Sequence, residues 1–182
     1  MRTKIYFLAL SLAALTPALL AIDLPAPPDD LAKQDQQFLS DACSTLTTET
    51  HVSALAVKQS RDPEITAFAQ RMAGEDEFLT LQIRSLAQQE HLDLPEKIKS
   101  QDDELLANLG KLNPGDFDKE YVRLILERQS HAVYLFDTAS RNAALSEVDG
   151  WARRNDEAMR DQLGSLQRIA SKAGIASAAA EP

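Results

Sequence analysis

The chain has a single cysteine, Cys43, so no intramolecular disulfide can form, whatever compartment it occupies. Its stability must come from packing. Aromatic residues make up 5% of 182 residues and glycine contributes six, which argues against the many-stranded, turn-rich architectures that depend on both. No run of basic residues occurs anywhere, and the formal net charge is −9. That balance repels phosphate backbones and anionic lipid surfaces, so nucleic acid is not an expected partner. Also missing are a glycine-rich phosphate loop, a cysteine pair and a Gly-x-Ser-x-Gly elbow, so no nucleophile is nominated and the chain is read as non-enzymatic.

The N-terminus carries most of the continuous hydrophobicity. Arg2 and Lys4 precede an apolar run from Ile5 through Leu15, and Pro17, Asp23, Pro25, Pro27 and Pro28 follow closely. A basic start, a short apolar centre and small residues at Ala18 and Ala21 have the layout of a secretory signal peptide over residues 1–21. The run is shorter than the roughly 20 residues a membrane span needs, so cleavage near Ala18 or Ala21 is expected, with no stable anchor. The mature product is then periplasmic or secreted and carries a charge of about −11, since Arg2 and Lys4 leave with the signal. Residues 22–28 read as a Pro-rich leader, 29–174 as one domain and 175–182 as a flexible tail.

Ala, Leu, Gln, Glu, Lys and Arg dominate the domain, and no stretch keeps a period of two, so the expected fold is all-α. Asp29-Asp30 can open a helix running to about Ser60. Asp62-Pro63-Glu64 gives an N-cap, a proline at the first helical position and an acid in the first turn of a second helix, to about His91. After a connection through Lys99, Ser100-Gln101-Asp102-Asp103 opens a short helix ended by Gly110. Asp116 is expected to cap the third long helix, to about Ala144, and Ser146-Glu147-Val148-Asp149 to form a capping box on the fourth, which stops at Gly174. Two hairpins joined by a crossover with a short extra helix make a four-helix bundle.

The apolar seams are interrupted in every helix. Along the first, Phe38, Ala42, Thr45, Glu49, Val52 and Ala56 share three-and-four spacing, which points Glu49 inward. The second, through Ile65, Phe68, Met72, Leu79 and Ile83, has a gap that falls on Glu75 or Asp76. The third, read through Tyr121, Leu124, Arg128, His131 and Leu135, places His131 inward with Glu127 one turn before it. The fourth, through Ala152, Asn155, Met159, Gln162 and Leu166, places Gln162 inward. Counting from the hairpin turns at about 1.5 Å per residue puts Glu49 level with Glu75, and His131 level with Gln162.

Carboxylates and histidine on facing bundle helices are how di-iron and di-manganese centres are built, but those use Glu-x-x-His motifs that this chain lacks. Glu49, Glu75, Asp76, Glu127 and His131 are therefore the candidate metal ligands, and the pattern favours a hydrogen-bonded polar cluster that fixes register over a metal centre. His51 falls on another face and His91 ends its helix, where an imidazole suits the dipole. Trp151 reads as a core-end anchor.

Asp35-Gln36-Gln37-Phe38-Leu39, Glu49 with Leu55-Ala56, Ile65-Thr66-Ala67-Phe68-Ala69-Gln70-Arg71-Met72, Leu94-Pro95, Phe117-Asp118-Lys119-Glu120-Tyr121, His131 with Leu135-Phe136, and Leu163 occur in order. On these pieces the stretch from Asp35 to Gly174 resembles a bacterial exported family, domain of unknown function 4142, which implies a ferritin-like bundle. Members of that family carry an Asp-His pair where this chain has Glu75-Asp76, and a histidine where it has Gln162. The resemblance thus implies that a family metal site would keep only His131 of three histidines. The expected function is binding, to a protein or small ligand, in envelope stress or assembly; the alternative is divalent-metal binding or oxidation.

Overall fold

A computed structural model describes residues 29–94 and 100–175. The expected signal, the leader and nearly all of the tail lie outside the described residues, as does part of the crossover. Among the described residues the fold is all-helical: α1 (Asp29–Gln59), α2 (Pro63–Gln89), α3 (Ser100–Leu109), α4 (Pro114–Asn142) and α5 (Ser146–Lys172). None of these helices is long and apolar enough to cross a membrane.

Local chemistry sets the ends. Asp62 caps α2 as expected, its Oδ1 accepting from the N–H groups of Glu64 at 2.7 Å and Ile65 at 3.2 Å, with Pro63 in the first turn. At the other end of α2, His91 takes φ +57° and Leu92 N–H reaches back to Ala87 O, which is the Schellman closure achieved without glycine. Gly174, at φ +66°, closes α5 the same way through Ile175 and Ala170.

Two expected caps are corrected. Asn113, not Asp116, caps α4: Asn113 Oδ1 accepts from Asp116 N–H at 3.1 Å, because an Asx side chain reaches the N–H three residues ahead of it and Pro114 occupies the first turn. No capping box opens α5. Leu145 sits at the N-cap, and the Ser146 hydroxyl donates to Glu147 Oε2 at 2.6 Å instead.

The two hairpins, α1–α2 and α4–α5, pack side by side with α1 against α4 and α2 against α5. Phe38 near the start of α1 meets Phe136 near the end of α4, ring centroids 5.6 Å apart, so α1 and α4 are antiparallel. Gln82 late in α2 meets Trp151 early in α5, so that pair is antiparallel too. α2 therefore ends at one end of the bundle, where Gln36 Nε2 donates to Asp93 O, while α3 lies at the other, where Gln59 Nε2 donates to Gly110 O. This is a four-helix bundle with one crossover.

The core is two apolar clusters rather than one. The first, at the α4–α5 turn, is built around Phe38, Phe136 and Trp151, whose rings pack in a triangle at 5.2–6.3 Å. The second, at the α1–α2 turn, gathers Met72, Tyr121, Ile125 and Leu166. Cys43 is buried in the first cluster as a small apolar side chain.

Candidate functional site

Between the two clusters lies a polar layer of Glu49, Asp76, Gln129 and Gln162, one from each long helix; Thr48, also buried beside Glu49, bonds back to Ser44 O of its own helix. On α1 the layer falls between Leu46 and Val52, on α2 between Met72 and Leu79, on α4 between Ile125 and Ala132, and on α5 between Met159 and Leu166. Helical periodicity makes this unavoidable. A side chain three or four residues from core neighbours on both sides occupies the same face.

Three of the four positions follow the sequence pattern, with the choice on α2 resolved to Asp76. Glu75 is solvent-facing but still touches the layer, accepting from Gln162 Nε2 at 2.8 Å. His131 is corrected: it is exposed, and Glu127, 73% exposed, lies outside the layer as well. The inward stripe of α4 runs through Tyr121, Ile125, Gln129, Ala132 and Phe136, one residue out of phase with the stripe through Leu124, Arg128, His131 and Leu135. Each residue turns the helix by about 100°, so an offset of one moves His131 off the core face. The signal that distinguishes the two phases is Phe136, a larger apolar anchor than Leu135.

Gln129 Nε2 donates to Gln162 Oε1 at 2.7 Å and to Met159 O at 3.2 Å, and Gln162 passes its own Nε2 hydrogen to Glu75. An amide relay thus runs from the core to the α2–α5 surface. The two acids are a different matter. Both are 0% exposed, and neither Glu49 oxygen nor either Asp76 oxygen has a hydrogen-bond partner.

Burial pushes the Glu49 carboxyl up to about 8, against the pull of the Arg128 guanidinium. Burial also raises Asp76 well above the carboxylate range, and the charges of Glu49 and Glu75 add to that rise. Gln162 stands close enough to Asp76 to oppose the shift, while its Nε2 hydrogen completes the bond to Glu75. Tyr121 is raised by burial as well, with its hydroxyl 3.2 Å from Ser53 Oγ and the two acids adding to the shift. Both shifts run the same way, toward the protonated form of the acid.

A dinuclear metal centre does not fit these residues. Among the described residues, no three His, Cys, Asp or Glu side chains gather into a group that could hold a metal ion. The Arg128 guanidinium already supplies positive charge to Glu49. Gln129 Oε1, like the four carboxylate oxygens, has no hydrogen-bond partner.

A second polar feature has no signature in the sequence. Asp35, buried on α1, accepts from the N–H groups of Ala144 at 3.0 Å and Leu145 at 2.7 Å, tying the α4–α5 turn to α1. It does across the bundle what a local cap does within a helix.

Fold and site define a small four-helix bundle with a sealed polar layer. The chain belongs to the family described as domain of unknown function (DUF4142), whose model matches residues 23–169. Two solved structures share the fold. A DUF305 fragment from Deinococcus radiodurans is 15% identical, with a TM-score of 0.67 over 82% of this chain and 99% of that one. A DUF305 protein from Streptomyces coelicolor, described as a candidate secreted protein, is 13% identical, with a TM-score of 0.68 over 82% and 98%. No curated protein matches the chain.

Proposed function

We propose that the protein is exported and works outside the cytoplasm by binding, with the grooves along its helix seams as the working surfaces. The observation that carries this is the contrast between centre and seam. The layer of Glu49, Asp76, Gln129 and Gln162 is closed off, whereas cavities of about 560 and 650 Å³ open to solvent between α2 and α5, within the size range of small-ligand sites. The surface also presents Phe78 and Leu81 on α2, 61% and 60% exposed. Large exposed apolar groups three residues apart on one helix suit a partner surface.

Export rests on the N-terminal charge and hydropathy pattern and on the description of the Streptomyces coelicolor neighbour. The domain then spans 29–174, after a leader at 22–28 and before a tail at 175–182. Mass spectrometry of the mature N-terminus from an envelope fraction tests this: cleavage after Ala18 or Ala21 is expected, and an intact Met1 in the cytoplasmic fraction sinks it. For binding, a photo-cross-linking side chain at position 78 or 81 should give discrete adducts in living cells. The absence of adducts at both positions, and at positions lining each groove, would overturn the reading.

A second reading has its own observation, the four carboxylate oxygens of Glu49 and Asp76 without hydrogen-bond partners. It assigns the layer one weakly held divalent cation. Titration with Mg²⁺, Mn²⁺, Fe²⁺ and Zn²⁺ followed by thermal melting decides. Stoichiometric binding abolished by Glu49→Gln supports it, and no change in melting temperature with any of the four removes it.

A further inference from the structure

The α2–α5 seam is bridged by polar contacts at three levels: Glu64 with Lys172, Glu75 with Gln162, and Gln82 with Trp151. At the level of the first, a groove of about 560 Å³ opens between the start of α2 and the end of α5. Its walls carry Arg71, Arg168 and Lys172 against a single carboxylate, Glu64, and add the hydroxyl-bearing Ser165 and Ser171.

The three cations differ in how firmly they are engaged. Lys172 Nζ lies 2.7 Å from Glu64 Oε1. Arg71 is only loosely paired, its Nε 3.8 Å from Glu75 Oε1, and its guanidinium rests over the Phe68 ring at 5.4 Å, both side chains lining the groove. Arg168 meets no carboxylate among the described residues; its guanidinium reaches Gly164 O at 3.3 Å and Ser165 Oγ at 2.9 Å. Two helix ends of opposite polarity flank the groove, the first turn of α2 and the last of α5, so their dipoles offset and the side chains set the sign. The groove is locally cationic on a chain whose net charge is −9.

We propose that this groove binds a compact oligoanion of the diphosphate class. Guanidinium forks and hydroxyl donors match phosphoryl oxygens, and two arginines with a lysine bring more positive charge to the walls than the one carboxylate there offsets. The volume exceeds a single phosphate and falls in the range of small-ligand sites. General attraction cannot substitute for the site, because the chain as a whole repels anions. The proposal rests on the reading that the seam grooves do the binding, and it adds the ligand's chemistry. Failure of the cross-linking experiment would remove that reading as a whole, whereas the titration below tests this ligand alone.

The test is isothermal titration of the full mature chain with inorganic pyrophosphate at low ionic strength, repeated at about 150 mM salt, where exposed charges more than about 8 Å apart are screened. The expected result is saturable one-to-one binding that weakens with salt. Arg168→Ala and Arg71→Ala should each lower affinity by about tenfold, the scale of one charge-assisted contact. Arg153→Ala, an exposed arginine of α5 outside the groove that pairs with Asp149, should leave it unchanged. Circular dichroism melts check that the variants fold. Absence of saturable binding, equal loss in Arg153→Ala, or citrate binding as tightly as pyrophosphate would each overturn the assignment.

Discussion

Glu49 of α1 and Asp76 of α2 face one another's charge inside the first hairpin, fully sealed from solvent, in the layer that separates the two apolar clusters. Burial pushes both carboxyls toward the protonated form, so the layer sets two raised acids beside two amides. Polar groups in a core cost stability unless satisfied, and a layer with one member from each helix penalises any slip in register.

Stability should fall as pH rises. Glu49 has a folded-state value of about 8 against an ordinary 4.5, so between those values the folded chain holds a proton that the unfolded chain has lost. The contribution is fully present below pH 4.5 and is lost as pH climbs toward 8. Asp76 moves in the same direction. Chemical denaturation at about pH 5 and about pH 8 should differ by a few kcal/mol, since each tenfold difference in proton affinity between the folded and unfolded chain is worth about 1.4 kcal/mol. Glu49→Gln should flatten the difference; an unchanged slope would show that Glu49 does not titrate as placed.

Asp35→Ala should destabilise the fold by about 1–2 kcal/mol, the scale of a lost cap, because the N–H groups of Ala144 and Leu145 lose their acceptor in a half-buried turn. Asp35→Asn, which keeps one acceptor, should cost less. Hydrogen exchange at Ala144 and Leu145 reads the effect directly, and protection unchanged in Asp35→Ala would contradict the role given to this carboxylate.

Gln129 and Gln162 should behave as a coupled pair. Gln129→Leu leaves Gln162 Oε1 without its donor and should cost about 1–3 kcal/mol. Adding Gln162→Leu to Gln129→Leu removes the orphan and should recover part of that loss. A double-mutant cycle in denaturant measures the coupling, expected at about 0.5–3 kcal/mol, and additive losses would show the amides act independently.

His131→Ala and Glu127→Ala should each change stability by less than about 0.5 kcal/mol, since both side chains are exposed. Neither should alter any metal-dependent melting shift. A loss of bound metal in His131→Ala would contradict the α4 phase that buries Gln129.

Much of this fold is legible in the residues themselves. The composition and three-and-four spacing read as helices, and Asp62-Pro63 places the first hairpin turn, because these are local effects written within one helical turn. Glu49 and Gln162 are legible as inward for the same reason, since strong apolar neighbours bracket each one. The stripe of α4 is not legible, because Leu124 and Leu135 stand beside Ile125 and Phe136, and two phases one residue apart score nearly alike. Packing against α1 selects the phase that brings Phe136 to Phe38.

What the sequence determines here without help is the all-helical class, the four long segments and the fact that each interrupts its apolar face, all consequences of period and local hydrogen bonding. Tertiary structure alone decides that Gln129 rather than His131 completes the polar layer. It alone also brings Asp35 to a turn more than a hundred residues away, and Arg71, Arg168 and Lys172 to one groove. Those meetings depend on how two hairpins seat against each other, and the seating is set by the summed contacts of many side chains, which no local pattern records.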